Sequence, residues 1–284
     1  MSTLTSTTSI NRPNLGTGDV GKSYFETDSK KILVWDGSAF IEYNKDSIVY
    51  PALANHYGII LDGTNDYLDI GVNGNIGELT SASAFSFCFW LKLHSRGNLE
   101  VVISSGTTSS DRFQFILDGG NMDIYFGSGL SIAGNTSISN NTWNHYALFK
   151  NGTNASFYIN GNFENSTTSA PSTLSSNAGK NLRIGSTTIF SGYYIDGEFD
   201  EVALWGSDQS SNLSTIYTGT TPANLSGLNP DHWWRMGDGD GGIGTTVTDD
   251  GNASTLVNGT LINNTAPASL FKDLSTAPDS IYIA

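Results

Sequence analysis

The chain has 284 residues, of which 38% are hydrophobic and 14% are charged, with 13 Lys and Arg against 27 Asp and Glu. This length suits one large β-domain or two smaller ones, and the hydrophobic share is sufficient for a packed core, which excludes disorder throughout. The net charge of −14 comes without any basic patch, which argues against nucleic-acid binding. The 32 glycines, together with many Ser, Thr and Asn residues, predict a chain rich in turns.

The single cysteine, Cys88, lies between two phenylalanines, so no intrachain disulfide can form and a buried, inert thiol is expected. A fold that is held by packing alone fits assembly in a reducing cytoplasm. The first eight residues have neither a basic start nor an apolar run. We therefore expect no signal peptide, no transmembrane span and no membrane insertion.

The N-terminal region alternates short runs of β-formers with turn residues. Residues 1–12 are polar, and we expect a flexible or docking arm there. Turn pairs at Asp28-Ser29 and Asp36-Gly37 separate the runs in residues 13–44, which predicts a small three-stranded β-meander.

The next residues, 46–54, are interpreted as a linker. We accordingly divide the chain into an N-terminal arm and β-module, residues 1–45, and a larger domain, residues 46–284.

The larger domain shows strict alternation in Phe85 to Leu93, where every second residue is Phe or Leu. That pattern predicts a strand with one fully apolar face. Further strands are predicted at 99–104, 112–117, 122–126, 143–149 and 155–159. Turn sequences at 118–121, 151–152 and 160–161 separate some of them and favour tight hairpins. Short strands at this spacing indicate an all-β sandwich rather than an α/β fold.

One short helix is predicted after these strands. Ser207 suits the N-cap, Asp208 suits the first turn, and Leu213, Ile216 and Tyr217 form an apolar stripe. A glycine and a proline shortly afterwards predict its end.

Four stretches carry a family resemblance. Residues 197–205 read Gly-Glu-Phe-Asp-Glu-Val-Ala-Leu-Trp, and residues 61–68 read Leu-Asp-Gly-Thr-Asn-Asp-Tyr-Leu. With a Trp-containing strand at 232–238 and an Asn-Gly-Thr-Leu close at 258–261, they resemble the laminin-G-like, concanavalin A-like jelly roll over residues 57–265. The resemblance implies an all-β jelly-roll sandwich that recognises something outside a cell, most often a glycan.

Glucanases with this jelly roll carry three carboxylates on one strand, in the pattern Glu-x-Asp-x-x-Glu or Glu-x-Asp-x-Glu. Glu198 and Asp200 match the first two positions, whereas Val202, or Ala203 in the other pattern, replaces the third. Glu201 is expected on the opposite face and cannot substitute unless the strand has a bulge. A retaining mechanism then lacks its acid, so we predict no catalysis and no catalytic residues.

The same resemblance suggests a calcium ion, because laminin-G-like and pentraxin-like relatives often bind Ca²⁺ at the sandwich edge. The candidate ligands are Asp62 and Asp66 of the first motif and Asp200 of the second. Asp-Gly and Asn-Asp pairs are also ordinary turn residues, so a structural role for these acids stays open.

Glycan binding would use exposed aromatic rings beside polar groups. The predicted ligand-binding residues are Tyr193 and Tyr194, which lie in a loop flanked by Ser and Gly, and Trp234.

A further resemblance covers Arg12 to Phe40, which contains Tyr24-Phe25, Thr27-Asp28 and Leu33-Val34-Trp35-Asp36-Gly37. This stretch is similar to a short module near the N-termini of fibres, appendages and decorating proteins of tailed phages. It implies that residues 1–45 attach the protein to other virion proteins, and that the protein lies on the particle surface after assembly in the host cytoplasm. Analogy with phage fibres suggests a homo-oligomer such as a trimer.

Together these resemblances predict a bacteriophage virion structural protein, such as a tail fibre, an appendage or a head-displayed adhesin, that binds host-surface or environmental glycans. The alternative is a purely architectural protein that decorates a capsid or tail without a specific ligand. A divergent glycoside hydrolase and a bacterial surface lectin are further alternatives, and the missing export signal argues against the last.

Overall fold

The computed structural model describes residues 57–70, 76–97, 99–174, 180–219, 221–238 and 244–262, together with Asn55 and the backbone of a few short strands near the two ends of the chain. The chain divides into two compact units, Met1–Leu53 and Ala54–Ala284. The division predicted from the sequence lies about eight residues earlier, at the start of the predicted linker.

The N-terminal unit contains a four-stranded sheet in the order β1-β2-β3-β4. Its strands are β1 (Thr5–Thr7), β2 (Ser23–Glu26), β3 (Lys31–Trp35) and β4 (Phe40–Tyr43). The last three strands pair antiparallel, as in the predicted meander, whereas β1 pairs parallel with β2. Part of the predicted N-terminal arm is therefore a strand, in keeping with the β-branched Thr residues at its ends.

The larger unit consists mainly of strands. They are β5 (Tyr57–Asp62), β6 (Tyr67–Ile70), β7 (Ala84–Leu93), β8 (Leu99–Ser105), β9 (Phe113–Asp118), β10 (Asn121–Phe126), β11 (Leu130–Ile132), β12 (Trp143–Asn151), β13 (Asn154–Ile159), β14 (Asn162–Thr167), β15 (Leu182–Ile184), β16 (Asp196–Trp205), β17 (His232–Trp234), β18 (Thr246–Val247), β19 (Gly259–Ile262) and β20 (Phe271–Asp273). The described residues of this unit also include two single-turn α-helices, α1 (Gly77–Thr80) and α2 (Leu213–Ile216). None of the helices in the described ranges is long and apolar enough to cross a lipid bilayer.

The strands of the larger unit form two sheets. Sheet A has the order β11-β10-β9-β8-β15-β6-β19-β18, and sheet B has the order β14-β13-β12-β7-β16-β5-β20, with β17 also paired to β16. Neighbouring strands pair antiparallel in both sheets. The fold is an all-β sandwich, and the predicted fold class is confirmed.

The core lies between the two sheets, and β7 contributes its apolar face to it. Phe89 of β7 packs edge-on against Phe115 of sheet A, with ring centroids 5.2 Å apart. The opposite side of β7 is buried as well, since Cys88 and Trp90 are only 2% and 4% exposed. Burial raises the pKa of the Cys88 thiol, which keeps it protonated and inert as predicted. Something must therefore cover the second face of sheet B, and strand alternation alone does not reveal it.

The hairpin turns follow the glycine and asparagine positions. Gly119-Gly120 joins β9 to β10, and Asn160-Gly161 joins β13 to β14, with positive φ at all four residues. These are the two-residue primed turns that match strand twist, as predicted. The turn between β12 and β13 is Gly152-Thr153, one residue later than predicted, because Asn151 pairs with Asn154.

The predicted helix is shorter than expected and begins later. A 3₁₀ turn occupies Ser210–Asn212, and α2 follows it directly from Leu213. Asp208 does stabilise the start of a helical turn, since its Oδ1 accepts the backbone N–H of Ser210 at 2.9 Å. Ser207 is not the N-cap of α2, because its carbonyl is bound by a side chain from sheet B.

Candidate functional site

The outer face of sheet B, the side opposite the core, is crossed by residues 206–217, which we call the covering segment. The hydroxyl of Ser86 on β7 donates to the carbonyl of Ser207 at 2.8 Å. At the other end of the segment, the ring of Tyr217 lies 5.9 Å from that of Trp90. These contacts explain why both faces of β7 are buried.

A groove lies between the covering segment and the outer face of β13 and β14. Two cavities open along it, with volumes of about 270 and 500 Å³. Residues lining the smaller cavity include Asn151, Asn154, Ser156, Ser166, Asp208 and Ser210. The larger cavity is lined by Asn160, Gly161, Asn162, Ser211, Leu213, Ser214 and Tyr217. The cavities lie at the two ends of β13, roughly 20 Å apart along the strand.

Three aromatic rings form a row across the outer face at the same strands. Phe149 contacts Tyr158 edge-on, and Tyr158 contacts Phe163 in the same way, each pair with centroids 5.6 Å apart. Exposure increases along the row, from 3% for Phe149 to 59% for Phe163, with Tyr158 half-buried between them. Tyr158 lies midway along β13 between Ser156 and Asn160, which line one cavity each.

The polar groups of the groove are held in place by hydrogen bonds within the fold. Asn160 accepts the backbone N–H of His145 at 2.8 Å and donates to the side-chain oxygen of Asn144 at 2.8 Å. Asp208 accepts from the amide of Asn151 at 3.2 Å. A ligand would therefore meet polar groups that are already ordered, which lowers the entropy cost of binding.

β16 contains a β-bulge at Glu201, whose φ is +45°. The pairing of β16 with β7 shifts between Asp200 and Ala203. For a strand without a bulge, the sequence predicts Glu201 on the face opposite Glu198 and Asp200. The bulge instead directs Glu201 to the outer face, where its Oε2 accepts from Trp233 Nε1 at 2.5 Å. All three acids consequently lie on one side of the sheet.

The three acids are not open to a substrate. Glu198, Asp200 and Glu201 are 2%, 1% and 4% exposed. The carboxylate of Glu201 also pairs with Arg235 at 3.1 Å, and that of Glu198 pairs with Lys92 at 3.4 Å. A glycosidase needs two carboxyl groups that reach the scissile bond from opposite sides. This arrangement does not supply such a pair.

The acids near the bulge carry shifted pKa values. Burial raises the pKa of Asp200 well above its usual range, and the negative charge of Glu201 raises it further. Burial also raises the pKa of Glu201 to about 7, although Arg235 opposes the shift. Asp238, which pairs with Arg235 at 3.2 Å, is a third acid in a cluster that contains one guanidinium. The negative charge exceeds the positive charge in this buried cluster, which favours retention of a proton near neutral pH.

A sequence model of laminin-G-like domains, described as the concanavalin A-like lectin/glucanases superfamily, matches residues 62–212, more than half of the chain. The chain belongs to this superfamily. The match extends from the end of β5 into the covering segment, so it includes the wall formed by β13 and β14 and the first part of the opposing wall. No curated protein matches the sequence.

Several solved structures have a similar fold. A protein of Bacteroides ovatus, described as a candidate for carbohydrate binding, is 13% identical with a TM-score of 0.56, covering 89% of this chain and 70% of that one. A heptameric SAP-like pentraxin of Limulus polyphemus is 17% identical with a TM-score of 0.48, covering 60% and 86%. The CBM40 of a Ruminococcus gnavus sialidase, bound to α2,3-sialyllactose, is 12% identical with a TM-score of 0.46, covering 57% and 95%. At 13% identity, the similarity to the Bacteroides ovatus protein supports the sandwich fold alone.

Two of the predicted glycan-binding aromatics of this concanavalin A-like domain lie in the loop before β16. Tyr193 and Tyr194 are both half-buried. The ring of Tyr193 packs edge-on against Phe190 at 5.8 Å, and that of Tyr194 lies 6.5 Å from Tyr67. Their role in binding stays a prediction, separate from the groove.

Trp234, the third predicted aromatic, cannot serve as a binding platform. Its side chain is completely buried in the core of the sandwich. Its indole N–H donates to the carbonyl of Val257 at 2.8 Å. Trp234 of β17 pairs directly with Val202 of β16. Paired residues lie on the same face of a sheet, so both side chains face the core.

The structure does not bring the predicted calcium ligands together. Asp62 pairs in register with Asp196, four residues before Asp200. Asp62 and Asp200 are therefore about 13 Å apart along the sheet. Asp62 is exposed and its Oδ1 accepts the backbone N–H of Thr64, whereas Asp66 is buried. Among the residues that the structure describes, no three His, Cys, Asp or Glu side chains are grouped to hold a metal ion.

Tyr158, Phe163 and the role of Asp208 in the groove were not predicted from the sequence. Phe163 carried a usable signal, because it is the one aromatic residue in the otherwise polar strand Asn162–Thr167. An isolated aromatic residue in a polar strand often indicates an exposed ring. The covering segment, which forms the opposing wall, has no comparable sequence feature, because its position depends on contacts with distant strands.

Proposed function

We propose that this protein is a non-catalytic glycan-binding protein of a bacteriophage virion, and that its jelly roll is displayed outward. The observation that carries the glycan part is the groove, in which an aromatic row lies beside cavities lined by amide, hydroxyl and carboxylate groups. A sugar ring has an apolar face that packs on aromatic rings and a rim of hydroxyls that hydrogen-bond to such groups. Membership of the lectin/glucanase superfamily supports the same proposal.

Binding without hydrolysis is supported by the burial of the carboxylates on β16. Glu198, Asp200 and Glu201 are each less than 5% exposed. Their side chains are tied to groups of the fold, so they stabilise the bulge and the outer face rather than reach a ligand.

The virion context rests on the N-terminal sequence resemblance. The compact unit of residues 1–53 would attach the protein to other virion proteins, and the groove of the larger unit would face the surroundings. Many copies on one particle would turn weak contacts into firm adhesion. An architectural decoration protein is the alternative, and it differs in having no glycan affinity.

The proposal is tested by applying the full chain to an array of host-surface and environmental glycans, with calcium and again with EDTA. We expect Phe163→Ala to weaken binding about tenfold, because the most exposed ring of the row is lost. Its stability should change by less than about 0.5 kcal/mol, since a 59% exposed side chain contributes little to the core. Binding should persist in EDTA, because the predicted calcium ligands do not converge.

The comparison variant is the double substitution Tyr193→Ala with Tyr194→Ala, which removes the two half-buried tyrosines of the loop before β16. Loss of binding in this variant, with Phe163→Ala unaffected, would move the site from the groove to the loop before β16. Absence of binding to every glycan would favour the architectural role.

A further inference from the structure

The charges of the groove narrow the class of glycan, and this inference rests on the proposed function. Asp208 is the only charged side chain among the described residues that line the two cavities, and none of these residues is Lys or Arg. An anionic sugar, such as a sialic or uronic acid, needs a cation or a cluster of free N–H donors to replace its hydration. The described lining residues offer neither a guanidinium nor an ammonium group, and the amides of Asn151, Asn160 and Asn162 already donate within the fold.

Lys150 of β12 is the lysine in strands β12 to β14, and its hydrogen bonds are made outside the groove. Its side chain is completely buried, and its ammonium donates to the carbonyls of Ser83, Gly152 and Ser172 at 2.8–3.1 Å. Those three bonds use all three of its N–H donors. The whole chain carries a net charge of −14, which adds a general repulsion of anionic polymers.

Asp208 itself is placed to accept hydrogen bonds from a neutral sugar. One oxygen accepts the backbone N–H of Ser210 at 2.9 Å, and the other accepts from the amide of Asn151 at 3.2 Å. Each carboxylate oxygen retains a further lone pair, and a carboxylate only accepts. Because Asp208 is half-buried, its charge is screened less than that of a fully exposed acid.

We propose that the groove selects an uncharged glycan, and that Asp208 is the residue that determines this specificity. Hydroxyl groups of the sugar donate to its carboxylate, whereas a carboxylate on the sugar is repelled by it. The proposed ligand is therefore a neutral oligosaccharide that lies along β13, packs on Tyr158 and Phe163, and meets Asp208 at one end of the groove.

The test uses the full chain and matched pairs of glycans. Cellohexaose, maltohexaose, laminarihexaose and mannohexaose are printed beside their C6-oxidised counterparts, which carry carboxylates in place of primary hydroxyls, together with sialyllactose. We expect the neutral member of a pair to bind at least tenfold more tightly than its oxidised counterpart. Asp208→Asn should weaken the neutral ligand severalfold and reduce that ratio at least threefold, since it removes the charge and keeps an oxygen for Ser210.

Asp118→Asn is the control, because it makes the same change of charge at an exposed turn of sheet A. It should leave the ratio unchanged, and thermal unfolding should show that both variants are folded. Tighter binding of oxidised or sialylated glycans would overturn the specificity and leave the proposed function intact. An unchanged ratio in Asp208→Asn would also overturn it. If no printed glycan binds, the proposed function itself fails.

Discussion

At position 201 the backbone of β16 adopts a left-handed conformation, which is uncommon for a residue other than glycine, Asn or Asp. The spacing of the apolar residues in β16 explains why a bulge is needed there. Phe199, Val202 and Leu204 all face the core, and an interval of three between the first two is one residue too long for strict alternation. The extra residue forms a bulge, and it brings the charges of Asp200 and Glu201 together.

Burial of these two carboxyl groups makes stability depend on pH, and the charge of Glu201 adds to the effect at Asp200. Glu201 titrates near 4.5 when unfolded and near 7 in the folded protein, and the pKa of Asp200 is raised as well. Between these pH values the folded state keeps a proton that the unfolded state releases. The contribution of these groups to stability therefore falls as the pH rises from about 4.5 to about 7.

We expect Asp200→Asn to flatten this dependence and to raise the free energy of unfolding at pH 8 by on the order of 1 kcal/mol. The variant removes the buried charge. Asn55 Nδ2 now donates to Asp200 Oδ2 at 2.7 Å, and a 180° turn of the Asn55 amide lets the new amide donate to Asn55 Oδ1, which has no hydrogen-bond partner among the described residues. Urea unfolding of both proteins at pH 5.5, 7 and 8 measures the effect. Parallel curves for the two proteins would show that Asp200 does not hold the proton.

At the scale of elements, the groove depends on how the β13–β14 hairpin meets the covering segment. The hairpin turn is close to the ring of Tyr217, and a Cβ at Gly161 would lie 2.7 Å from its Cδ1. Tyr217 in turn contacts Trp90 and His145 of sheet B. One glycine therefore allows the turn and the opposing wall to approach closely enough to form the larger cavity.

Gly161→Ala and Gly152→Ala form a matched pair that separates backbone strain from this close approach. Both glycines have positive φ, +73° and +60°, but a Cβ at Gly152 would meet nothing within 4 Å. We expect Gly152→Ala to cost about 1 kcal/mol of stability and to leave glycan binding unchanged. Gly161→Ala should cost roughly 2–4 kcal/mol and weaken binding, because Tyr217 must move.

Urea unfolding and the glycan array measure the two effects of this pair. Equal costs for the two substitutions would mean that only the backbone conformation matters at these turns. Unchanged binding in Gly161→Ala would mean that the wall formed by Tyr217 is not part of the binding surface.

At the scale of the whole molecule, the chain contains two compact units that differ in the number of their sheets and in how the strands pair. The smaller unit has a four-stranded sheet with one parallel pair, and the larger unit has two antiparallel sheets. In the proposed virion protein, the smaller unit anchors the chain and the larger unit is displayed. The acidity of the chain favours solubility of such an exposed protein.

The proposed function predicts that an antibody raised against residues 54–284 labels intact phage particles that carry this protein. Immunogold electron microscopy reads the position: label at the tail indicates a fibre or appendage, and label at the head indicates a head-displayed protein. Label that appears only after particles are disrupted would contradict outward display. Particles that never carry label would contradict the virion proposal.

Much of the fold follows from local sequence. Alternation in Phe85 to Leu93 and the turn sequences between strands predict antiparallel strands of the right type and nearly the right bounds, because side chains alternate along a strand whatever its partner. The inert Cys88 also follows from its immediate neighbours. The bulge at Glu201 could have been predicted from the sequence, because the interval between apolar residues of β16 is three there instead of two.

The candidate site depended instead on contacts between residues far apart in the chain. Ser86 binds the covering segment more than 120 residues later, and that contact decides which part of sheet B is closed and which part forms the groove. Trp234 is buried because β17 pairs with β16, and Phe163 is exposed because β14 is an edge strand. Alternation assigns a side chain to one face or the other, but only the tertiary structure decides whether that face is covered, because covering it requires a partner that no local pattern encodes.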